Sequence, residues 1–349
     1  MLYALHTYHS SRNKGLKMDD LKNYPISIAE IIRARSIVKR FLRPTQLTHY
    51  ECLSKALHAE VYIKHENHNP TGTFKIRGGV NLLCHLKEKN IRGVITFSTG
   101  NHGLSIATAA RSFGLDAVVV VPENNNPAKN RTIKESGAEL IEAGSTFEEA
   151  ATTAERLCQE RELYYAHPAD EPHLINGVGT GFLEIIEDLP DIDVMIVPLG
   201  AGSEAAAAIT TLRAFRPKVG IVAVQAESSP AAHNSWVEKR ICSGQNKTFA
   251  GGFATGKAYK IPFEIYRSGL DNFILLTEEE IYESIGMAFY YTHNLAEGAG
   301  AATIMAAFKV EDYLKDKKVV LQMSGCNASP DEISKAITTR SFREGYTGN

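Results

Sequence analysis

Short apolar runs alternate with helical patterns along this chain, and that alternation constrains its fold more than any other feature. VITF at 94–97, AVVVV at 117–121, the stretch DVMIVPL, GIVAVQ at 220–225 and KVVLQM at 318–323 read as strands. Helical spacing occupies 104–113, 126–136, 147–163, 179–189, 204–215, 278–292 and 300–314. A first helix is expected over 26–41, closed by Pro44, then a strand around Val61 and Ile63 and a helix over 76–86; residues 228–260 read as loop-rich. Strands that alternate with helices pair in parallel through right-handed crossovers. The pattern predicts an α/β fold of two doubly wound lobes with a cleft between them. Residues 89–167 form the expected smaller lobe, and residues 1–88 with 168–349 the larger.

With 349 residues the chain can bury a sizeable core. Charged residues make up 22% and the formal net charge is -2, so the sequence carries neither a nucleic-acid footprint nor a polybasic membrane anchor. No apolar run approaches the ~20 residues of a membrane-spanning helix. The opening stretch MLYALHTYHSSRNKGLKMDD lacks the charged start and apolar core of a secretory signal and reads as a tail, with Met18 as an alternative start. Cys52, Cys84, Cys158, Cys242 and Cys326 are odd in number and widely spaced, which suits reduced thiols in a cytoplasmic protein rather than a zinc site or a disulfide scaffold. The short stretch after Asn327 is too small for an appended regulatory domain.

Lys75 is the first candidate for a reactive group. It sits just past the Pro- and Gly-punctuated segment HENHNPTGTF and just before a helical pattern, at the mouth of an element; a solvated surface charge is the bland alternative. Three loops each follow a strand, and ligands of open α/β sheets bind at such places. Ser98-Thr99-Gly100-Asn101-His102-Gly103 offers hydroxyls, an amide and N–H groups to a carboxylate or phosphate, or else is a polar N-cap. Gly200-Ala201-Gly202-Ser203 lets backbone approach an anion at a helix N-terminus, or else closes a tight strand-helix turn. With Ala205 it also fits G-x-G-x-x-A, and Glu227 could then serve as a ribose-binding acid, which keeps an NAD-dependent dehydrogenase as a distant alternative. Ser324-Gly325-Cys326-Asn327, taken alone, is an ordinary structural turn.

Lys75 and the three loops, in this order, resemble the pyridoxal-phosphate enzymes of the tryptophan synthase β-subunit type, fold type II, and within them the threonine/serine dehydratase and serine racemase family. The likeness runs from Ile26 to Asn327. It implies pyridoxal 5'-phosphate in the cleft, a large cofactor-binding domain, a small substrate-closing domain and a homodimer. Lys75 matches the lysine of N-P-T-G-[ST]-F-K-x-R-G that links to the cofactor, with Phe74 beside the pyridine ring. Ser98, Thr99, Asn101 and His102 match the S-x-G-N-H loop that holds the substrate carboxylate, Asn101 also serving the ring hydroxyl. Gly200, Ala201, Gly202 and Ser203 match the phosphate loop, Ser324 the serine on the pyridine nitrogen, and Glu297, in NLAEGAG at 294–300, the acidic place near the ring.

The chain departs from the family at four places. Ala201, Ser203 and Glu204 interrupt what is usually a run of four glycines, although a Gly-Ser ending still donates. Thr99 stands where racemases present a second serine, and its more hindered hydroxyl weakens a racemase reading. Glu227 is followed at the family's metal spacing by His233 instead of aspartate, so no metal is expected, and the frequent A-D-G reads Ala250-Gly251-Gly252. The resemblance implies that Lys75, displaced by the substrate amine, acts as general base at Cα, and that a neutral Ser324 favours expulsion of a β-leaving group over transamination. The expected activity is dehydration of a β-hydroxy amino acid such as L-threonine or L-serine to a 2-oxo acid and ammonia. Serine racemisation, β-replacement and dehydration of a bulkier substrate such as phenylserine are the alternatives on the same fold.

Overall fold

Alternate residues of the apolar strands face different cores, which is why those strands run almost continuously hydrophobic. In the larger sheet Val194, Ile196, Val222, Val319 and Leu321 turn to one side, and Met195, Val197, Ile221, Ala223 and Val320 to the other. The computed structural model describes residues 24–145 and 147–344, so the tail expected over the first twenty residues lies outside it. The larger sheet runs in the order β1 (Leu47–His49), β2 (Glu60–His65), β10 (Lys318–Met323), β7 (Val194–Pro198), β8 (Gly220–Ala226) and β9 (Asn272–Leu276). Its β1 is an antiparallel edge, and the remaining pairs are parallel. The smaller sheet, all parallel, runs β5 (Glu139–Glu142), β4 (Asp116–Val121), β3 (Gly93–Phe97) and β6 (Tyr164–Tyr165).

The topology decides where a site can form. Because β2, β10 and β7 are parallel neighbours, the loops leaving their C-terminal ends converge on one edge of the sheet. The helix Lys75–Glu88 follows the β2 loop, and its Val80 and Leu83 share a core with Val94 and Val119 of the smaller sheet. This one helix therefore belongs to both sheets, with Lys75 as its first residue.

Several elements differ from the sequence expectation for identifiable reasons. The helix expected over 179–189 already begins at Pro172 and runs Pro172–Asp188, with Pro172 in the first turn and the Glu171 side chain accepting from His173 N. Its glycines dilute the helical signal, yet they let it lie against the Lys75 helix: a Cβ on Gly177 would stand 2.6 Å from Arg77 O. The helix expected over 300–314 breaks at Val310, giving Gly298–Lys309 and Glu311–Leu314. The segment 228–260 is not all loop, since it contains the helix Ala231–Glu238 and leads into Lys260–Gly269. After Asn327 the chain forms Pro330–Ala336, started by a Ser329/Glu332 capping box, and Arg340–Glu344. Among the described residues no helix is long and apolar enough to cross a membrane, and the five cysteines are free thiols.

Candidate active site

Two turns at the sheet edge are tied together by backbone. Thr73 bridges Gly325, Phe74 N donates to Ser324 O at 3.1 Å, and Cys326 N donates to Gly72 O at 2.9 Å. This brings Lys75 and Ser324 to the wall of one cavity, also bordered by Phe74, Asn101, Gly200, Ala201, Gly202, Ser203, Glu204, Gly252, Glu297 and Ala299. The loop after β7 forms another wall. Gly202 takes φ +94, a left-handed conformation that glycine adopts without penalty, and opens the helix Ser203–Phe215. Gly200 admits no side chain at all, because a Cβ there would lie 1.9 Å from Gly252 O. The result is a close-packed backbone cradle at the positive end of a helix, a chemistry suited to a phosphate.

Behind the wall, a buried charge network fixes the start of the Lys75 helix. The Arg77 guanidinium, 1% exposed, donates from Nε and Nη2 to both Glu66 oxygens at 2.7 and 2.8 Å, and from Nη1 and Nη2 to both Glu184 oxygens at 2.7 and 2.8 Å. Lys64 Nζ donates to Glu184 Oε2 at 2.7 Å and to Thr45 O at 2.7 Å, and Thr45 Oγ1 donates to Glu66 Oε1 at 2.6 Å. Two cations and two carboxylates thus neutralise each other with most hydrogen-bonding positions filled, the condition under which buried charges persist. Although burial opposes ionisation, the Arg77 guanidinium and Lys64 hold the Glu66 carboxyl down at about 2. Sequence reasoning did not assign this network, because its four members come from β2, the turn after it and two separate helices.

Asn101 is held with its amide in one orientation. Its Nδ2 donates to Glu297 Oε1 at 2.6 Å, and its Oδ1 accepts from Asn327 Nδ2 at 2.8 Å. Asn327 also donates to Thr71 O at 2.8 Å, so the Lys75 turn, the helix Asn101–Phe113 and the β10 turn close on one another. Lys75 Nζ lies 4.2 Å from the centre of the Phe74 ring. Among the described residues it makes no hydrogen bond or ion pair, and burial lowers its pKa from that of a free lysine, against the opposing charges of Glu204 and Glu297. Burial likewise raises the Glu297 carboxyl, with Lys129 the largest opposing charge. Glu204 is 4% exposed, accepts from Gln322 Nε2 at 3.0 Å, and is pushed up to about 8 by burial, against the charge of Lys75.

The structure sorts the residues singled out by sequence. Phe74, Lys75, Asn101, Gly200, Ala201, Gly202, Ser203, Glu297 and Ser324 border the cavity. Ser98, Thr99 and His102 do not. Ser98 Oγ accepts from Gly100 N at 3.3 Å, a local turn contact. The His102 ring corrects the carboxylate-binding expectation: it points into the smaller sheet, with Nε2 3.0 Å from Thr96 Oγ1 and 3.2 Å from Ala166 O. Burial drives its pKa to about 3, leaving a neutral ring whose Nε2–H donates to Ala166 O. His233 packs against Trp236 and Phe273, and Glu227 is an exposed residue beyond β8. Glu204 and Asn327 received no site role from sequence, although a charged residue at the head of an alanine-rich helix was the available signal for Glu204.

A family model described as pyridoxal-phosphate dependent enzyme matches residues 38–325. The chain belongs to that family. It is 34% identical to the L-threonine ammonia-lyase of Thermotoga maritima over 322 residues, covering 92% of this chain and 80% of that protein. It is 33% identical to the catabolic L-threonine dehydratase of Staphylococcus aureus over 318 residues, covering 89% of this chain and 92% of that one. A solved threonine deaminase, from T.th., superposes with TM-score 0.82 at 28% identity, over 87% of this chain and 99% of the other. Maize serine racemase superposes with TM-score 0.85 over 90% and 97%, and at 24% identity it speaks for the fold alone. Membership removes the NAD-dependent dehydrogenase alternative.

The residues present fit pyridoxal phosphate. A buried amine with no partner among the described residues, a helix-capped glycine cradle and a hydroxyl at the end of β10 surround one cavity. An ionised carboxylate at Glu204 would repel a phosphate, and burial shifts that carboxyl toward its neutral form.

Proposed function

We propose that this enzyme dehydrates a β-hydroxy amino acid, L-threonine or L-serine, to a 2-oxo acid and ammonia. The observation that carries the reading is the pairing of Lys75 with a neutral hydroxyl, Ser324, across one cavity, in a chain a third identical to proteins named for threonine ammonia-lyase and dehydratase activity.

Bound pyridoxal phosphate supplies a sink for the electron pair left when the Cα proton is removed. Lys75 would hold the cofactor and, once freed, take that proton; burial suits it to the task by lowering its pKa. Gly200, Ala201, Gly202 and Ser203 would hold the phosphate with backbone N–H groups, and Phe74 would flank the ring. Ser324, unlike a carboxylate, leaves the ring nitrogen without a permanent negative partner, which favours elimination over transamination. Asn101, fixed by Glu297 and Asn327, would orient the ring hydroxyl and the substrate carboxylate, with Ser98 and Thr99 contributing when residues 89–167 close over the substrate. We also assign the enzyme a homodimeric, cytoplasmic state as part of this reading.

Incubation with L-threonine, L-serine and phenylserine, read by 2-oxo acid and ammonia release, tests the proposal. Release from threonine or serine is expected, and no elimination from any β-hydroxy amino acid defeats it. Chiral analysis of serine recovered with and without a thiol acceptor detects racemisation or β-replacement in the same experiment.

A further inference from the structure

An amino acid that enters this cavity brings a carboxylate with it, and a buried carboxylate needs a cation. The charged side chains on the cavity wall are Lys75, Glu204 and Glu297. Lys75 is engaged at the cofactor and at Cα, and the other two are acids, so the wall offers no spare cation among the described residues. One stands beside it. Lys129 lies in the helix Pro127–Glu135, between β4 and β5, and borders a second cavity that shares Asn101 with the first. Its side chain is half-buried, and among the described residues the ammonium makes no hydrogen bond or ion pair. Two glycines show where it points. A Cβ on Gly100, in the loop read as the carboxylate site, would meet nothing beyond its chain neighbours within 4 Å except Lys129 Cδ and Nζ, both at 3.9 Å. A Cβ on Gly251, in the segment between β8 and β9 of the larger sheet, would meet only Lys129 Nζ, also at 3.9 Å. Asn101 and Gly252, the next residues in sequence, border the cofactor cavity. The space between these two loops is therefore open, adjoins the cofactor cavity and is faced by the Lys129 ammonium.

We propose that Lys129 anchors the substrate carboxylate, its ammonium taking one carboxylate oxygen while backbone N–H groups at the start of the helix Asn101–Phe113 take the other. This rests on the dehydration reading, which supplies an amino acid as substrate. The carboxylate then sits between loops of the two sheets, and Gly100 and Gly251 keep its approach clear because neither carries a side chain. Lys129 is also the largest opposing charge on Glu297, so a bound carboxylate shares that cation with Glu297, which the 2.6 Å hydrogen bond from Asn101 Nδ2 keeps in place. The contact does not reach the substrate side chain. Lys129 therefore distinguishes amino acids from the corresponding amides and amines, not threonine from serine.

The test compares an acid with its amide. In holoenzyme, Lys129→Met removes a charge-assisted hydrogen bond and should lower kcat/KM on L-threonine about 10-fold or more, chiefly through KM. Lys129→Arg, which keeps the charge, should regain most of that loss. L-Threoninamide has the same side chain without the carboxylate charge and should lose less than about 3-fold in Lys129→Met. A second readout needs no turnover: the apparent Kd from the change in cofactor absorbance on mixing should rise about 10-fold or more for threonine and less than about 3-fold for the amide. Equal losses on acid and amide reduce Lys129 to a neighbour of Glu297, and undiminished threonine binding places the carboxylate elsewhere; either result overturns the proposal. If wild-type enzyme releases no 2-oxo acid from any β-hydroxy amino acid while threonine binding still weakens in Lys129→Met, the dehydration reading has failed and the anchor stands.

Discussion

Replacing Arg77 by methionine removes the cation that both Glu66 and Glu184 depend on while keeping much of the side-chain volume. Four hydrogen bonds to carboxylates of 2.7 or 2.8 Å are lost, and Lys64 alone remains to face two buried negative charges. Breaking a buried ion pair from one side costs about 3–5 kcal/mol. The pH dependence gives an internal check. Glu66 in the folded wild type sits at about 2 against an ordinary value of 4.5, so it contributes roughly 3 kcal/mol that is fully present above pH 4.5 and lost as pH falls toward 2. By about pH 4 linkage removes about 0.8 kcal/mol of that contribution. In the variant burial dominates and lifts the folded pKa of Glu66 above its unfolded value, so acidification relieves strain instead of adding it. The stability gap between wild type and Arg77→Met should therefore be about 3–5 kcal/mol at about pH 7 and visibly smaller at about pH 4. Urea unfolding of the cofactor-free proteins by far-ultraviolet circular dichroism measures both. A gap below about 1 kcal/mol at about pH 7, or one that widens on acidification, refutes the account of the network.

Gly200→Ala places a methyl 1.9 Å from Gly252 O, forcing the cradle apart at an expected cost of about 1–3 kcal/mol. Equilibrium dialysis should show cofactor affinity weakened by about 5-fold to 150-fold, with the far-ultraviolet spectrum retained. His102→Leu deprives Thr96 and Ala166 of a buried partner and should cost about 1–3 kcal/mol of stability while KM for threonine moves little, in a parallel unfolding and kinetic comparison. A large rise in KM would return His102 to the substrate site.

What the sequence made legible was what local chemistry dictates. Lys75, Gly200, Gly202 and Ser324 stand in short contiguous turns after strands, and a turn's conformation follows from its own residues. The parallel sheets were readable because their central strands are buried on both faces and almost uniformly apolar. His102 misled because its immediate neighbour Asn101 does border the cavity, while the helix beginning at Asn101 turns the ring of the next residue inward. Arg77, Glu66, Glu184 and Lys64 are far apart in sequence, and only the packing of the helix Pro172–Asp188 on the Lys75 helix brings them together. The glycines that permit that approach looked like helix weakeners in one dimension. Glu204 was visible only as a departure from a glycine run, and its partner Gln322 reaches it from another element.

The central claim is that Lys75 is the residue to which the cofactor is joined. Borohydride reduction of freshly purified, pyridoxal-phosphate-supplemented enzyme, followed by peptide mass spectrometry, tests it most directly. The account predicts a phosphopyridoxyl group on the peptide containing Lys75 and on no other lysine peptide. Absence of the adduct, or its appearance on Lys64 or Lys129 instead, would contradict it.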